Sequence, residues 1–181
     1  MRSALGALAL LAIGLCATPA LATTVDLPCN QSIPPANTPV EQVEQVLGTL
    51  HFCAARGEGE SYFSLFTPDA VFIGTDVSER WTLVQFRAYA EPIFGQGRGW
   101  TYTLRPGTRH VILAPDRRTA WFDEVLDSAS YGTSRGTGVL VLTPQGWRIA
   151  QYHLTFPIPN ELAGEFTRRI REHEGRAAEA R

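Results

Sequence analysis

Four polar side chains in the last third of the sequence have the types and spacing to move a proton: Asp123, Arg135, Gln151 and His153. Strand side chains alternate between faces. In residues 119–128, TAWFDEVLDS, Trp121, Asp123, Val125 and Asp127 therefore share one face, and Phe122, Glu124 and Leu126 share the other. In the last such stretch Trp147, Ile149, Gln151, His153 and Thr155 fall together, opposite Arg148, Ala150, Tyr152 and Leu154, while Arg135 begins a face that continues through Thr137, Val139 and Val141. If the faces bearing Trp121, Arg135 and Trp147 are one face of one sheet, Asp123, Arg135, Gln151 and His153 converge beside an aromatic floor. An apolar pocket with a few convergent polar groups is the usual make-up of a small-molecule site. Asp123 and His153 are its catalytic candidates: His153 would act as acid or base and Asp123 would orient it. The other reading pairs Asp123 with Arg135, which keeps the carboxylate ionised and makes the pair a brace of the cavity wall.

The elements that must hold these residues are legible in chain order. Thr38-Pro39-Val40-Glu41 supplies an N-cap, a proline at the first helical position and the acid of a capping box. Val43, Val46, Leu47, Leu50 and Ala54 then recur at helical spacing, with His51 at the stripe's edge, where a structural role is the expectation. Residues 60–66 read as a short second helix and 70–74 as a strand. Thr82-Leu83-Val84-Gln85 repeats the capping box ahead of a third helix that buries Leu83, Phe86, Ala90, Ile93 and Phe94. Trp100 to Leu104 alternates with an aromatic face, residues 109–113 follow as a strand, and a Pro/Gly turn at 143–146 joins the last two strands. Asn160 caps a final helix with Leu162, Phe166 and Ile170 on one side, and residues 173–181 read as a charged, disordered tail. Helices first and strands after is the order of an α+β structure in which helices cover one face of a curved antiparallel sheet and leave a cavity.

Trp121-Phe122-Asp123-Glu124, then Arg135-Gly136-Thr137-Gly138-Val139-Leu140, then Gly146-Trp147-Arg148-Ile149-Ala150-Gln151-Tyr152-His153-Leu154 resembles the SnoaL-like branch of the nuclear transport factor 2-like superfamily, over about residues 38–162. The resemblance implies a cone-shaped fold that hosts isomerases, dehydratases, cyclases, epoxide hydrolases and non-catalytic binding modules. It also implies that residues 75–80 lie at the cavity mouth. Asp76, Trp81, Trp100 and Tyr102 then join Trp121, Arg135, Trp147 and Gln151 as the expected lining.

Residues 1–22 read as a secretory signal, with Arg2 as the charged region, an apolar run and a small-x-small site ending at Ala22. Residues 23–37 form an extended arm, and residues 38–172 form one domain. In an exported chain the two remaining cysteines, Cys29 and Cys53, make a disulfide the first expectation, contributing about 3 kcal/mol in the chain-entropy model. Two reduced thiols are the alternative.

Net charge is −2 and every basic side chain is arginine, which excludes Schiff-base chemistry and a phosphate-loop lysine. No basic stripe suggests nucleic acid, the short apolar run argues against a membrane anchor, and four scattered histidines make no metal cluster. Two classes remain. One is a periplasmic lyase or isomerase that needs no cofactor and acts on a small apolar or polycyclic molecule. The other is a binding or accessory module that uses the same cavity without chemistry, with a homodimer through the outer sheet face as one form of it.

Overall fold

The computed structural model describes residues 36–179; the signal segment, most of the arm and Cys29 lie outside these residues. Thr38 caps helix α1 (Pro39–Arg56): its hydroxyl accepts from the Glu41 N–H and the Glu41 carboxylate accepts from the Thr38 N–H. Gly57 ends the helix in the left-handed conformation, at φ 68°. Helix α2 (Gly59–Phe63) is shorter than the sequence suggests, because the chain turns extended by Phe66 and enters β1 (Phe66–Ile73). β2 (Arg80–Thr82) runs into α3 (Leu83–Phe94), whose capping box pairs Thr82 with Gln85 as expected. β3 (Thr103–Leu104), β4 (His110–Leu113), β5 (Thr119–Ser128), β6 (Gly132–Thr143) and β7 (Gly146–Thr155) complete the strands.

They form one seven-stranded sheet in the order β2-β1-β7-β6-β5-β3, with β4 also on β5. All neighbours are antiparallel except β1 and β7, which run parallel. The fold is thus the expected α+β arrangement, with a curved sheet and helices across its inner face. Val43, Leu47 and Leu50 of α1 and Phe86 and Ala90 of α3 are buried there against Phe122, Leu126, Leu140, Ile149 and Leu154.

One irregularity decides which residues look inward. Val139 pairs with Gln151 but Leu140 pairs with Ile149, so Ala150 is an extra residue in β7. Such a bulge breaks the period of two and turns the strand. Before it Trp147 and Ile149 face the core; after it Tyr152 and Leu154 do, and Gln151 and His153 move to the outer face.

A short 3₁₀ turn (Asn160–Leu162) leads into α4 (Ala163–Glu179), which stands away from the sheet with Leu162, Phe166 and Ile170 exposed. The helix continues to Glu179 through residues expected to be disordered. Ion pairs one turn apart, Arg168–Glu172 at 2.7 Å and Arg169–Glu165 at 2.8 Å, support its middle.

Candidate functional site

The polar centre of the cone is Glu124. It sits on β5 between Phe122 and Leu126, wholly buried, with its carboxylate under α1. Oε1 accepts from His51 Nε2 at 2.8 Å and from the Tyr152 hydroxyl at 3.1 Å. Arg109, just before β4, brings Nε to 2.8 Å and Nη2 to 2.6 Å of Oε2, and its Nη1 donates to the Glu44 carbonyl of α1 at 3.1 Å. Four elements therefore meet on one carboxylate. An inward-facing glycine of β6 clears the space. Gly136 pairs with Glu124, and a Cβ there would lie 2.5 Å from the Tyr152 hydroxyl and 2.8 Å from Glu124 Oε1.

Charge follows from this geometry. Burial pushes the Glu124 carboxyl up, but the hydrogen bonds and charges of His51 and Arg109 together outweigh it and hold the group below its usual range. An ionised Glu124 can only accept, so the proton of the contact belongs to His51 Nε2, and in the neutral ring Nδ1 carries the lone pair. Burial first, and the Glu124 charge second, push the Tyr152 hydroxyl well above 10, so it stays a neutral donor.

His51 and Tyr152 line a small aromatic pocket next to a larger one. A pocket of about 20 Å³ beside them is bounded by Leu50, Tyr62, Phe72, Trp100 and Tyr102. A space of that size takes one water. Beyond it opens a cavity of about 180 Å³ that shares Phe72, Trp100, Tyr102 and Leu154 and adds Trp81, Phe86, Tyr89 and Glu79. Tyr89 and Tyr131 at its rim are more than half exposed, so the cavity reaches solvent. Tyr102 lines both spaces; burial, and then the neighbouring Tyr131 and Glu79, push its hydroxyl up to about 12.

Of the expected lining residues, Trp81, Trp100 and Tyr102 lie along the outer cavity. Asp76 is exposed on the loop beside the mouth, held below the usual carboxylate range by the Ser78 hydroxyl and N–H. The remaining assignments need correction. Asp123, Arg135, Gln151 and His153 do share a sheet face, but it is the outer one. Asp123 pairs with Thr137, which pairs with His153, and Arg135 sits two residues along β6. Asp123 and Arg135 are exposed and Trp121 is 44% exposed, whereas Trp147 is buried in the core and lines neither space. Among the described residues Asp123 forms no ion pair with Arg135 or His153. Two causes account for this. The inner face of β5 is the opposite parity, and the β7 bulge carries Gln151 and His153 outward. Sequence reasoning assigned His51 a structural role and passed over Glu124 and Arg109. A usable signal was that Phe122, Glu124 and Leu126 carry one charge where Trp121, Asp123, Val125 and Asp127 carry two.

A family model described as the SnoaL-like domain matches residues 43–159. No curated protein matches significantly. Among solved structures, a proposed dehydratase of the NTF2-like family from Streptomyces avermitilis superposes with a TM-score of 0.55 at 19% identity, over 66% of this chain and 96% of that one. A proposed aromatic ring hydroxylase from Novosphingobium aromaticivorans gives 0.54 at 15% identity, over 66% and 89%. A proposed scytalone dehydratase from the same species gives 0.53 at 12%, over 65% and 83%. At these identities the likeness is one of fold.

Proposed function

The chain belongs to the SnoaL-like domain family, and from that premise we propose that it is a lyase or isomerase that needs no cofactor and works by general acid–base catalysis at His51. The observation that carries this reading is the hydrogen bond from His51 Nε2 to the buried Glu124 beside a small aromatic pocket. Glu124 fixes the ring and stabilises the imidazolium that forms when Nδ1 takes a proton. Arg109 keeps Glu124 ionised, so the carboxylate orients and the imidazole acts. Tyr102, neutral at pH 7, supplies a hydroxyl donor for an oxyanion developing between it and His51. The water-sized space beside His51 suits a leaving hydroxyl group. An engineered cavity of about 150 Å³ binds benzene, so the outer cavity suits one ring with small substituents. Two of the structural neighbours are proposed dehydratases, in keeping with this chemistry.

The test is proton exchange in D₂O. Wild type should exchange the α-hydrogens of some members of a panel of cyclic ketones and hydroxyketones faster than buffer, and His51→Gln should abolish that while keeping its thermal midpoint. Wild-type rates equal to buffer across the panel, or full exchange in His51→Gln, would contradict the proposal. A second reading, ligand binding without turnover, is favoured by the close set of donors around Glu124, which would also serve as a brace. Tryptophan quenching by panel members with no exchange supports that reading.

The proposal places the protein outside the cytoplasm, with residues 1–22 removed and Cys53, fully buried on α1, bridged to Cys29. Mature protein starting near Thr23 with no titratable thiol is expected; two thiols in the denatured sample would refute the bridge. The exposed Ile112 and Trp121 on the outer sheet face support a homodimer through that face, which sedimentation tests directly.

A further inference from the structure

We propose that the outer cavity selects a ligand carrying a positively charged nitrogen, an alkyl- or arylammonium, whose frame reaches inward to His51; this rests on the reading of that cavity as the ligand site. Eight of its twelve lining residues are aromatic, and the single charged one is Glu79. Ring faces carry the negative end of the aromatic quadrupole and attract a cation, tryptophan most strongly. The rings at the mouth come in stacked pairs: Trp81 and Tyr89 lie 5.0 Å apart at 26°, and Tyr131 and Phe156 lie 4.9 Å apart at 24°.

Glu79 gives this wall a formal charge. It ends the loop between β1 and β2, is half-buried, and its Oε2 accepts the Asp76 N–H at 3.1 Å. Its backbone carbonyl accepts the Gly74 N–H at 2.8 Å, and a Cβ on Gly74 would run into its carboxylate, so a glycine there makes room for the acid against the cavity wall. Among the described residues no arginine or histidine forms an ion pair with Glu79, including Arg80 beside it in sequence. No basic side chain lines the outer cavity. A neutral ligand seated among these rings would strip water from the carboxylate without replacing it, which costs free energy. An ammonium compensates the acid and meets the ring faces at once.

Phenyltrimethylammonium and its uncharged isostere tert-butylbenzene separate the two cases, with binding followed by tryptophan fluorescence of wild type and Glu79→Gln. The cation should bind about tenfold more tightly than the isostere, a difference within the reach of a desolvated cation–ring contact plus one carboxylate. Glu79→Gln should remove most of that preference, by weakening the binding of the cation and easing the desolvation cost of tert-butylbenzene. Equal affinities in wild type, or tighter binding of the isostere, would overturn the cation proposal and leave an apolar ligand site standing. A preference undiminished in Glu79→Gln would overturn it too, since the carboxylate would then play no part. Failure of both compounds to bind would overturn it together with the ligand-site reading.

Discussion

Replacing Glu124 by Gln isolates the charge at the centre of the cone. The shape is kept, and the amide oxygen can still accept from His51 and Tyr152, so what is lost is the negative partner of Arg109. The Arg109 side chain is 8% exposed, and its Nε and Nη2 stand 2.8 and 2.6 Å from the departing charge. Removing one partner of a buried ion pair costs about 3–5 kcal/mol, and urea unfolding at pH 7 should show a loss in that range. Arg109→Met should cost a similar amount, and the double variant less than their sum, by about 1–3 kcal/mol, as expected for residues in contact. The effect has a defined pH course. The folded pKa of Glu124 lies below its ordinary 4.5, so its stabilisation is fully present above about pH 4.5 and is lost as pH falls through the folded value. The gap between wild type and Glu124→Gln should therefore be widest near neutrality and close in acid. A loss below about 1 kcal/mol at pH 7 for both single variants, or a gap unchanged down to pH 3, would refute the account of the network.

Trp147 is 2% exposed, so Trp147→Ala should cost about 3–5 kcal/mol by denaturant melt; Trp121, at 44% exposed on the outer face, should lose below about 1 kcal/mol on the same change. A reversal of that order would mean that Trp121 of β5, and not Trp147 of β7, faces the core. Gly136→Ala places a Cβ 2.5 Å from the Tyr152 hydroxyl and 2.8 Å from Glu124 Oε1, so it should destabilise by about 1–3 kcal/mol as an overpacked core does and perturb the His51 ring signals in NMR. A wild-type melt and an unchanged His51 spectrum would show that the glycine is not needed there.

The helices were legible in the sequence because their signals are local. Thr38 with Glu41 and Thr82 with Gln85 cap α1 and α3 as read, and Val43, Val46, Leu47 and Leu50 bury as their spacing dictates. The two-residue turn between β6 and β7 was also legible, since Pro144, Gln145 and Gly146 announce it. The alternation of β5 and β6 was read correctly, so Asp123 and Arg135 do share a face, and Gln151 and His153 join them on it only because of the bulge in β7. Which face turns inward is set by helices packed from elsewhere in the chain, and an alternating strand with polar residues on both sides leaves that open. The bulge at Ala150 has no local signature and reverses the parity of half a strand. His51 looked structural because a lone histidine at the edge of a helical stripe carries no signal of its partner 73 residues away.

The account's central claim is that a buried, ionised Glu124 presets His51 with its proton on Nε2 and its base at Nδ1. Nitrogen-15 NMR of the His51 ring, with pH raised until the ring is neutral, reads the tautomer directly. The account predicts that the proton resides on Nε2 in wild type and that Glu124→Leu, which removes the acceptor, loses this single-tautomer preference. A neutral ring protonated mainly at Nδ1 in wild type, or a folded Glu124→Leu variant with the same Nε2–H preference, would contradict it.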